Sequence, residues 1–461
     1  MTASTQAAAF YPPRAKSAAM PLRFPQNIVK LLSNNLEIIP ERAYDEPLVL
    51  APGPPRMAFF TGPDMVKTLL LTRWDEFPKG RLQVEILEPI FGQAMLSAEG
   101  KEWRWQRSAA APLFRHEELL HDLPAMNAAA RGALEFWRAA PAGTVQPIHD
   151  DMMRAAFHVI GNSMLTGGAE EVLSSIEKGH ADYYAGMNWW VVYRLLKLPH
   201  WLPRPGGKAM RAHETRLREA AIELVKARRA NAAEGRDLLA RMLRASDPET
   251  GRTLTDVNVA ENIVSFLMAG YDTSALAVTW ALYLVSQSPE WEERIRREVN
   301  AVVGTGPVKA EHLDSLVVVQ QVLNETLRLY PTAPIILRDI PKDTEFDGIT
   351  VPAGTIGLIP IYAIHRHRAL WQDPDCFDPD RFSPDHGGKP SRFQFMPFGA
   401  GPRICIGAAF SMLEATVMLS TFIRDAHFDL APGFTPKPSG QMFLLPKDGM
   451  PMYVTPRERL A

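Results

Sequence analysis

The chain of 461 residues is expected to be mainly α with a small β region, and three observations lead to that fold class. Residues 117–246 carry apolar side chains at helical spacing almost throughout. A single long apolar helix is foreseen from Thr255 or Asp256 to about Ser288, where Pro289 stops it. Strand-like runs are few and short, and they cluster near the N-terminus and between residues 335 and 361.

Composition narrows the class. With 46% hydrophobic and 22% charged residues the chain is globular. A formal net charge of −2 supplies no basic field for nucleic acid. Two cysteines, Cys376 and Cys405, exclude a disulfide framework and suit a reducing compartment. Residues 1–26 are rich in Ala, Ser and Pro and lack the apolar core of a signal or anchor. Residues 263–285 are apolar enough to suggest a membrane span. Asp272 near their middle and the lack of flanking positive clusters favour the buried axis of a water-soluble protein instead.

Taken in order, the N-terminal segment 1–34 is expected to be irregular, apart from a short helical pattern beginning at Ile28. Strands are expected at 47–51 and 56–61, separated by the Pro-Gly-Pro-Pro turn at 52–55, and a helix at 64–73. Residues 81–95 look like an apolar, loop-prone connection. A helix then carries Trp103 and Arg107 four apart on one face, where an indole N–H and a guanidinium can meet one carboxylate. Trp190 and Arg194 repeat that spacing, so spacing alone decides nothing. On the same helix Arg104 is either a solvated charge or a contact for an acidic partner. Breaks at Pro141-Ala142-Gly143 and Thr166-Gly167-Gly168 interrupt the helical region. The greasy stretch 187–203 fits either ordinary core packing or the roof of an apolar pocket, with membrane contact third.

The long helix reads Ala269-Gly270-Tyr271-Asp272-Thr273-Ser274 at its centre. Small residues open a groove there, and a threonine hydroxyl can bond back to the preceding turn. A carboxylate in so apolar a setting is costly unless used, which makes a proton path plausible. Glu325 and Arg328 share a helix face, as do Glu293 and Arg296, the latter expected as a surface ion pair. Short strands are expected at 335–340, 345–351 and 356–361. His365-Arg366-His367-Arg368 reads as a solvated basic turn rather than a metal site. The tail 440–455 reads as a hairpin whose tip, 442–444, points into a pocket.

The most specific stretch is Phe398-Gly399-Ala400-Gly401-Pro402-Arg403-Ile404-Cys405-Ile406-Gly407. It delivers one cysteine to the start of a helix expected over 406–422, where free N–H groups and the dipole favour a thiolate. Gly407 leaves room for something large and flat. This loop resembles the haem-ligating loop of the cytochromes P-450. The resemblance extends over about residues 35–455, since Trp103/Arg107, the 269–274 centre, Glu325/Arg328 followed by Tyr330-Pro331, and Pro379-Asp380-Arg381-Phe382 occur in the family's order.

The resemblance implies the following. The chain, 1–461, is a single haem domain, and haem b is its cofactor with Cys405 as the iron's axial ligand. Trp103, Arg107, Arg338 and Arg403 hold the propionates. Ala269, Gly270, Phe398, Gly399 and Gly407 border the macrocycle. Asp272 and Thr273 form the acid–alcohol pair of catalysis, and Glu325, Arg328 and Arg381 form a structural triad. The activity implied is a monooxygenase that inserts one atom of O2 into an apolar small molecule, with hydroxylation as the expected outcome. Electrons would come from a separate donor, either ferredoxin with its reductase or a flavodoxin-type protein. A cytoplasmic, soluble protein of bacterial type is expected, without an integral membrane anchor or a nucleic-acid partner. A peroxide-using peroxygenase and a non-catalytic haem sensor or carrier are the alternatives, and Asp272-Thr273 weighs against both. Phe91, Phe266, Leu267, Ile335, Ile336 and Phe443 are the expected pocket residues.

Overall fold

The computed structural model describes residues 9–21, 26–53, 55–165, 169–199, 201–230, 235, 237–385 and 390–457. The expected break at Thr166-Gly167-Gly168 lies outside them. The longest helix, Asp256–Ser286, is the axis of the molecule, and at 1.5 Å per residue it runs about 46 Å. Thr255 caps it in a reciprocal box with Asn258: the Thr255 hydroxyl accepts the Asn258 N–H at 3.1 Å, and the Asn258 side chain accepts the Thr255 N–H at 3.3 Å. The helices Ile148–Met164, Gly207–Ala230 and Ala408–Asp425 pack around it. Burial on nearly every face explains why its sequence is apolar all round. No described helix is long and apolar enough to cross a membrane.

The β content is small and sits at the edge. A four-stranded sheet orders Leu48–Ala51, Met57–Phe60, Thr355–Ile359 and Ile336–Ile340, and only the middle pair is parallel. The expected strand at 345–351 is instead two, Thr344–Phe346 and Ile349–Val351. They are joined at Asp347-Gly348, both at positive φ, a turn that a continuous strand reading overlooks. The tail likewise divides. Pro438–Gly440 pairs with Leu444–Pro446, whereas Pro451–Pro456 joins Ala426–Leu430 and Val145–Pro147 in another sheet.

The short helical pattern expected from Ile28 is the helix Gln26–Ser33, which starts two residues earlier. One other expectation is corrected. Arg81–Phe91 is a helix and not a loop. Pro89 obscured it, because a proline inside a helix leaves the carbonyl four residues back without its donor. Here that carbonyl, Glu85 O, accepts the Trp190 indole N–H at 2.9 Å instead. Arg194 Nε reaches the Glu85 carboxylate at 2.5 Å, so the Trp190/Arg194 pair is a clamp on this helix and not a chance repeat.

The basic turn is the sharpest reversal: His365, Arg366 and His367 are all buried. Met396 N–H donates to His365 Nε2 at 3.0 Å, and the other ring nitrogen lies 3.3 Å from Leu327 O. Burial, with Arg328 close by, pushes His365 down to about 3, so it is a neutral structural imidazole. The Arg366 guanidinium lies 4.1 Å over the Tyr362 ring. No group of residues able to hold a metal ion occurs among the described residues.

Arg328 has no solvent exposure and spends its donors completely. Nε and Nη2 grip Glu325 at 2.6 and 2.7 Å, and the remaining contacts go to the carbonyls of His365, Pro374 and Cys376. Arg381 Nε stands 3.6 Å from Glu325. The three residues expected to act together therefore meet, and they tie the helix Val317–Leu329 to the segment that leads toward Cys405. Glu293 and Arg296 form the expected outlying pair at 2.8 Å.

Candidate functional site

A cavity of about 530 Å³ lies between the central helix, the Arg81–Phe91 helix, the edge sheet and the cysteine loop. The loop takes its shape from two glycines. Gly399 and Gly401 both have φ of +74°, and a Cβ on Gly401 would fall 1.7 Å from Leu70 O. Cys405 N–H then donates to Phe398 O at 2.9 Å, closing the loop around the sulfur. The following helix starts at Ala408, two residues later than expected, and runs on to Asp425.

The Cys405 side chain is open to the cavity. Protein walls surround it, and this burial pushes the thiol up; the Gly407 N–H and the Arg107 guanidinium pull the other way. The expected preference for thiolate is thus opposed by desolvation in the protein alone. A Cβ on Gly407 would meet only Cys405 Sγ, at 4.0 Å, so that flank is open. Cys376 is buried with its thiol 3.8 Å from Phe377 O, a packed residue as expected.

Trp103, Arg107, Ala269, Gly270, Thr273, Arg338, Phe398, Gly399, Arg403, Cys405 and Gly407 all line this one cavity. Asp272 does not. It is buried beside them, one position off the lining face. The Thr273 hydroxyl donates to Ala269 O at 2.9 Å and also lies 3.3 Å from Gly270 O. Its proton is committed to the backbone, and its oxygen keeps acceptor capacity.

The cations differ in how far they are satisfied. Arg107 loses basicity through burial and has no hydrogen-bond acceptor among the described residues. Arg338 is pushed down to about 10 by burial, with Arg403 adding repulsion; it remains a cation at neutral pH, and its Nε is buried without a partner. Arg403 Nε is also without a partner, while its terminal nitrogens hold Glu99.

Sequence reasoning missed Lys79 and Glu99. Lys79 Nζ donates to the carbonyls of Met95, Leu96 and Ala98 at 3.0, 2.9 and 2.7 Å. Burial pushes it down to about 7, which Glu99 partly offsets. Nothing periodic marks either residue, because Lys79 acts through loop carbonyls and Glu99 through the Lys79 amide and the Arg403 guanidinium, 304 residues away.

Most of the remaining lining is apolar, with a few polar side chains such as Asn35, Gln83 and Thr332 among it. Phe266, Ile335, Ile336 and Phe443 line it as expected, but Phe91 and Leu267 turn into the packed core. Val191 and Leu195 of the helix Glu170–Leu195 contribute to the wall, while Trp190 is buried against Glu85. Trp189 and Trp201 are exposed, and the Met187 side chain lies outside the described residues. Of the expected tip 442–444, Met442 and Phe443 line the cavity together with Gln441, whereas Leu444 is buried in the strand Leu444–Pro446. Arg104 is exposed, with its guanidinium 5.7 Å over the Trp74 ring.

Comparison with known proteins places this geometry. The family model "Cytochrome P450" matches residues 40–452. Cyclooctat-9-en-7-ol 5-monooxygenase of Streptomyces melanosporofaciens is 30% identical over 387 residues, covering 83% of this chain and 82% of the relative. A cytokinin hydroxylase of Arabidopsis thaliana is 29% identical over 431 residues, covering 87% and 79%. The 11-oxo-beta-amyrin 30-oxidase of Glycyrrhiza uralensis is 28% identical over 411 residues, covering 85% and 77%. Among solved structures, the cytochrome P450DA heme domain superposes with a TM-score of 0.82 at 22% identity, over 97% of this chain and 99% of that one.

Proposed function

The chain belongs to the cytochrome P450 family and is a monooxygenase of it, and from that premise we propose that Cys405 is the sole protein ligand to the iron of a bound haem b. One observation carries the reading: a thiol opens into a largely apolar cavity that also holds Arg107 and the buried, unpartnered Nε atoms of Arg338 and Arg403. Buried guanidinium N–H groups without acceptors are costly, and a dianionic macrocycle would supply those acceptors. The residues present therefore fit the group. When bound, the haem supplies activation of O2 and the redox chemistry, favoured by electron donation from a thiolate ligand.

The protein's share is binding, orientation, proton handling and exclusion of water. Trp103, Arg107, Arg338 and Arg403 bind the propionates. Ala269 and Gly270 leave space on the central helix for small reactants. The Thr273 oxygen accepts a hydrogen bond within the cavity, and Asp272 relays protons toward it from its buried position. The apolar wall selects a neutral, largely hydrocarbon substrate, which is hydroxylated. Named substrates of the relatives, cyclooctat-9-en-7-ol and 11-oxo-beta-amyrin, support that class.

The chain functions as one haem domain, and its electrons come from a separate donor of the ferredoxin or flavodoxin type. A soluble, cytoplasmic protein of bacterial type is the accompanying reading; no described helix is long and apolar enough to cross a membrane. The test has three arms. Reduced protein under carbon monoxide gives the red-shifted thiolate band, and Cys405→His loses it; retention of the band overturns the assignment. Titration of an apolar compound library into the oxidised protein gives a low-to-high-spin shift for the substrate class. Turnover requires an added electron donor, and efficient turnover with peroxide alone would move the reading to a peroxygenase.

A further inference from the structure

The turn 92–98 joins the Arg81–Phe91 helix to the helix Gly100–Ala110, which carries Trp103 and Arg107. It also supplies Met95 and Leu96 to the cavity wall. Its backbone polar groups are taken up from two sides. Lys79 gathers three of its carbonyls, while two residues of the central helix take its amides: Gln93 N–H donates to Glu261 Oε2 at 3.0 Å and Met95 N–H to Asn262 Oδ1 at 3.0 Å. Close approach is built in, because Gly92 has φ of +53° and a Cβ there would fall 1.8 Å from Glu261 Oε1.

Asn262 is also bonded beyond the turn. Its amide nitrogen donates to Gln106 Oε1 at 2.7 Å and to Asn258 O at 2.8 Å. Gln106 Nε2 returns to the turn through Gln93 O at 2.9 Å, with Glu102 Oε1 at 3.0 Å. Both amides are 1% exposed. Gln106 adjoins Arg107, and Asn262 lies one helical turn before Phe266, which lines the cavity. One closed set of hydrogen bonds thus links the central helix, the cavity wall and the helix of the haem-anchoring residues.

Apolar packing alone would hold these elements together but would tolerate sliding and repacking. A satisfied buried polar network does not, since any slip leaves donors and acceptors unpaired in low dielectric. We propose that Asn262 and Gln106 are positioning residues of the oxidation site. They latch the Met95–Leu96 turn to the central helix and so set the shape of the cavity in which a substrate is oriented. The inference rests on the monooxygenase reading of that cavity.

The test uses the haem-loaded protein and three variants: Asn262→Leu, Gln106→Met, and the exchange Asn262→Gln with Gln106→Asn. Two quantities are read, amide hydrogen exchange of Gln93 and Met95, and the ratio of affinities for 4-phenylimidazole and imidazole from their optical shifts. Imidazole needs only the iron, whereas the phenyl ring also meets the wall. Asn262→Leu should speed exchange by about tenfold or more and change the affinity ratio by about tenfold. Gln106→Met, which keeps the Asn262–Met95 bond, should do the same to a smaller degree and secures the test if Asn262→Leu folds poorly. The exchanged pair, which retains both amides, should recover most of both readouts. Unchanged exchange, or faster exchange with an unaltered affinity ratio, would overturn the latch. Failure of the monooxygenase reading is seen separately, as a parent protein that lacks the thiolate carbon monoxide band.

Discussion

Arg403 grips Glu99 with both terminal nitrogens, Nη1 lying 2.7 Å from Oε1, while its Nε stays buried without a partner. The same carboxylate accepts the Lys79 backbone N–H at 3.1 Å. Glu99 therefore ties the cysteine loop to the entry of the helix carrying Trp103 and Arg107, and it absorbs much of the hydrogen-bonding capacity of one of the three arginines. Arg107 and Arg338 keep more donors free.

The consequence is an unequal response to mutation. Arg107→Ala and Arg338→Ala should each raise the rate of haem loss about tenfold or more, the scale expected for a charge-assisted hydrogen bond. Glu99→Gln should lower thermal stability but leave haem retention equal or better, because Arg403 is released. Transfer of haem to apomyoglobin measures all three. Faster haem loss in Glu99→Gln than in the two arginine variants would contradict this division of labour.

Glu325 and Arg328 show no solvent exposure, and their geometry is bidentate. Breaking such a buried pair from one side leaves an uncompensated charge and costs about 3–5 kcal/mol. Glu325→Gln should therefore give a large loss of folded yield and thermal stability. Arg328→Lys should fail as well, because an ammonium cannot serve Glu325 and three separate carbonyls from one fork. Denaturant midpoints of the purified variants test this, and a native-like Arg328→Lys would refute it.

A buried acid that the proposed chemistry does not use sets a pH dependence. Glu414 is fully buried on the helix after Cys405, and desolvation pushes it up to about 8, with Ser274 opposing slightly. Between about pH 4.5 and 8 the folded chain holds a proton there that the unfolded chain has released. Its contribution to stability is thus complete below about 4.5 and is lost as pH rises through 8. Glu414→Gln removes that slope. The variant and the parent should match near pH 5, and the variant should be the more stable at pH 8. Parallel melting curves across that range would exclude the effect.

What was legible in the sequence follows a physical pattern. The cysteine loop, the capped central helix and the Glu325/Arg328 pair are local signals, in which neighbours a few residues apart make the feature. Lys79, Glu99, Asn262 and Gln106 reach across separations of 13 to 304 residues, to loop backbone groups and to distant side chains that no local pattern encodes. The helix Arg81–Phe91 was hidden by Pro89 because its compensating donor, Trp190, lies 105 residues away. The His365–His367 turn was misjudged for the same reason: its burial depends on Met396, Leu327 and Tyr362, none of which makes a charged triplet look apolar. Leu267 adjoins the cavity-lining Phe266 but on the wrong face of its helix, a distinction of one residue in periodicity, whereas Phe91 ends its helix one turn beyond the last lining residue, Leu87.

The final prediction concerns Thr273. Its hydroxyl proton goes to Ala269 O, so its oxygen can act in the cavity as an acceptor. If the residue only shaped the helix, Thr273→Ala would cost a little stability and leave the product formed per electron unchanged. If its oxygen positions a proton donor for the reaction, Thr273→Ala loses that control while electron delivery continues. Reduced cofactor should then still be consumed, with less of it appearing as hydroxylated product and more as hydrogen peroxide. Thr273→Ser, which keeps the oxygen and the bond to the backbone, should restore most of the coupling. Asp272→Asn should act differently: it removes an ionisable group from a buried position, so the overall rate should fall by roughly 10²–10⁴-fold, the range typical of a general acid. The measurement is product formed per reduced cofactor oxidised, with peroxide quantified alongside and substrate binding checked by the spin shift. Normal coupling in Thr273→Ala, with substrate still bound, would assign the hydroxyl to the helix alone.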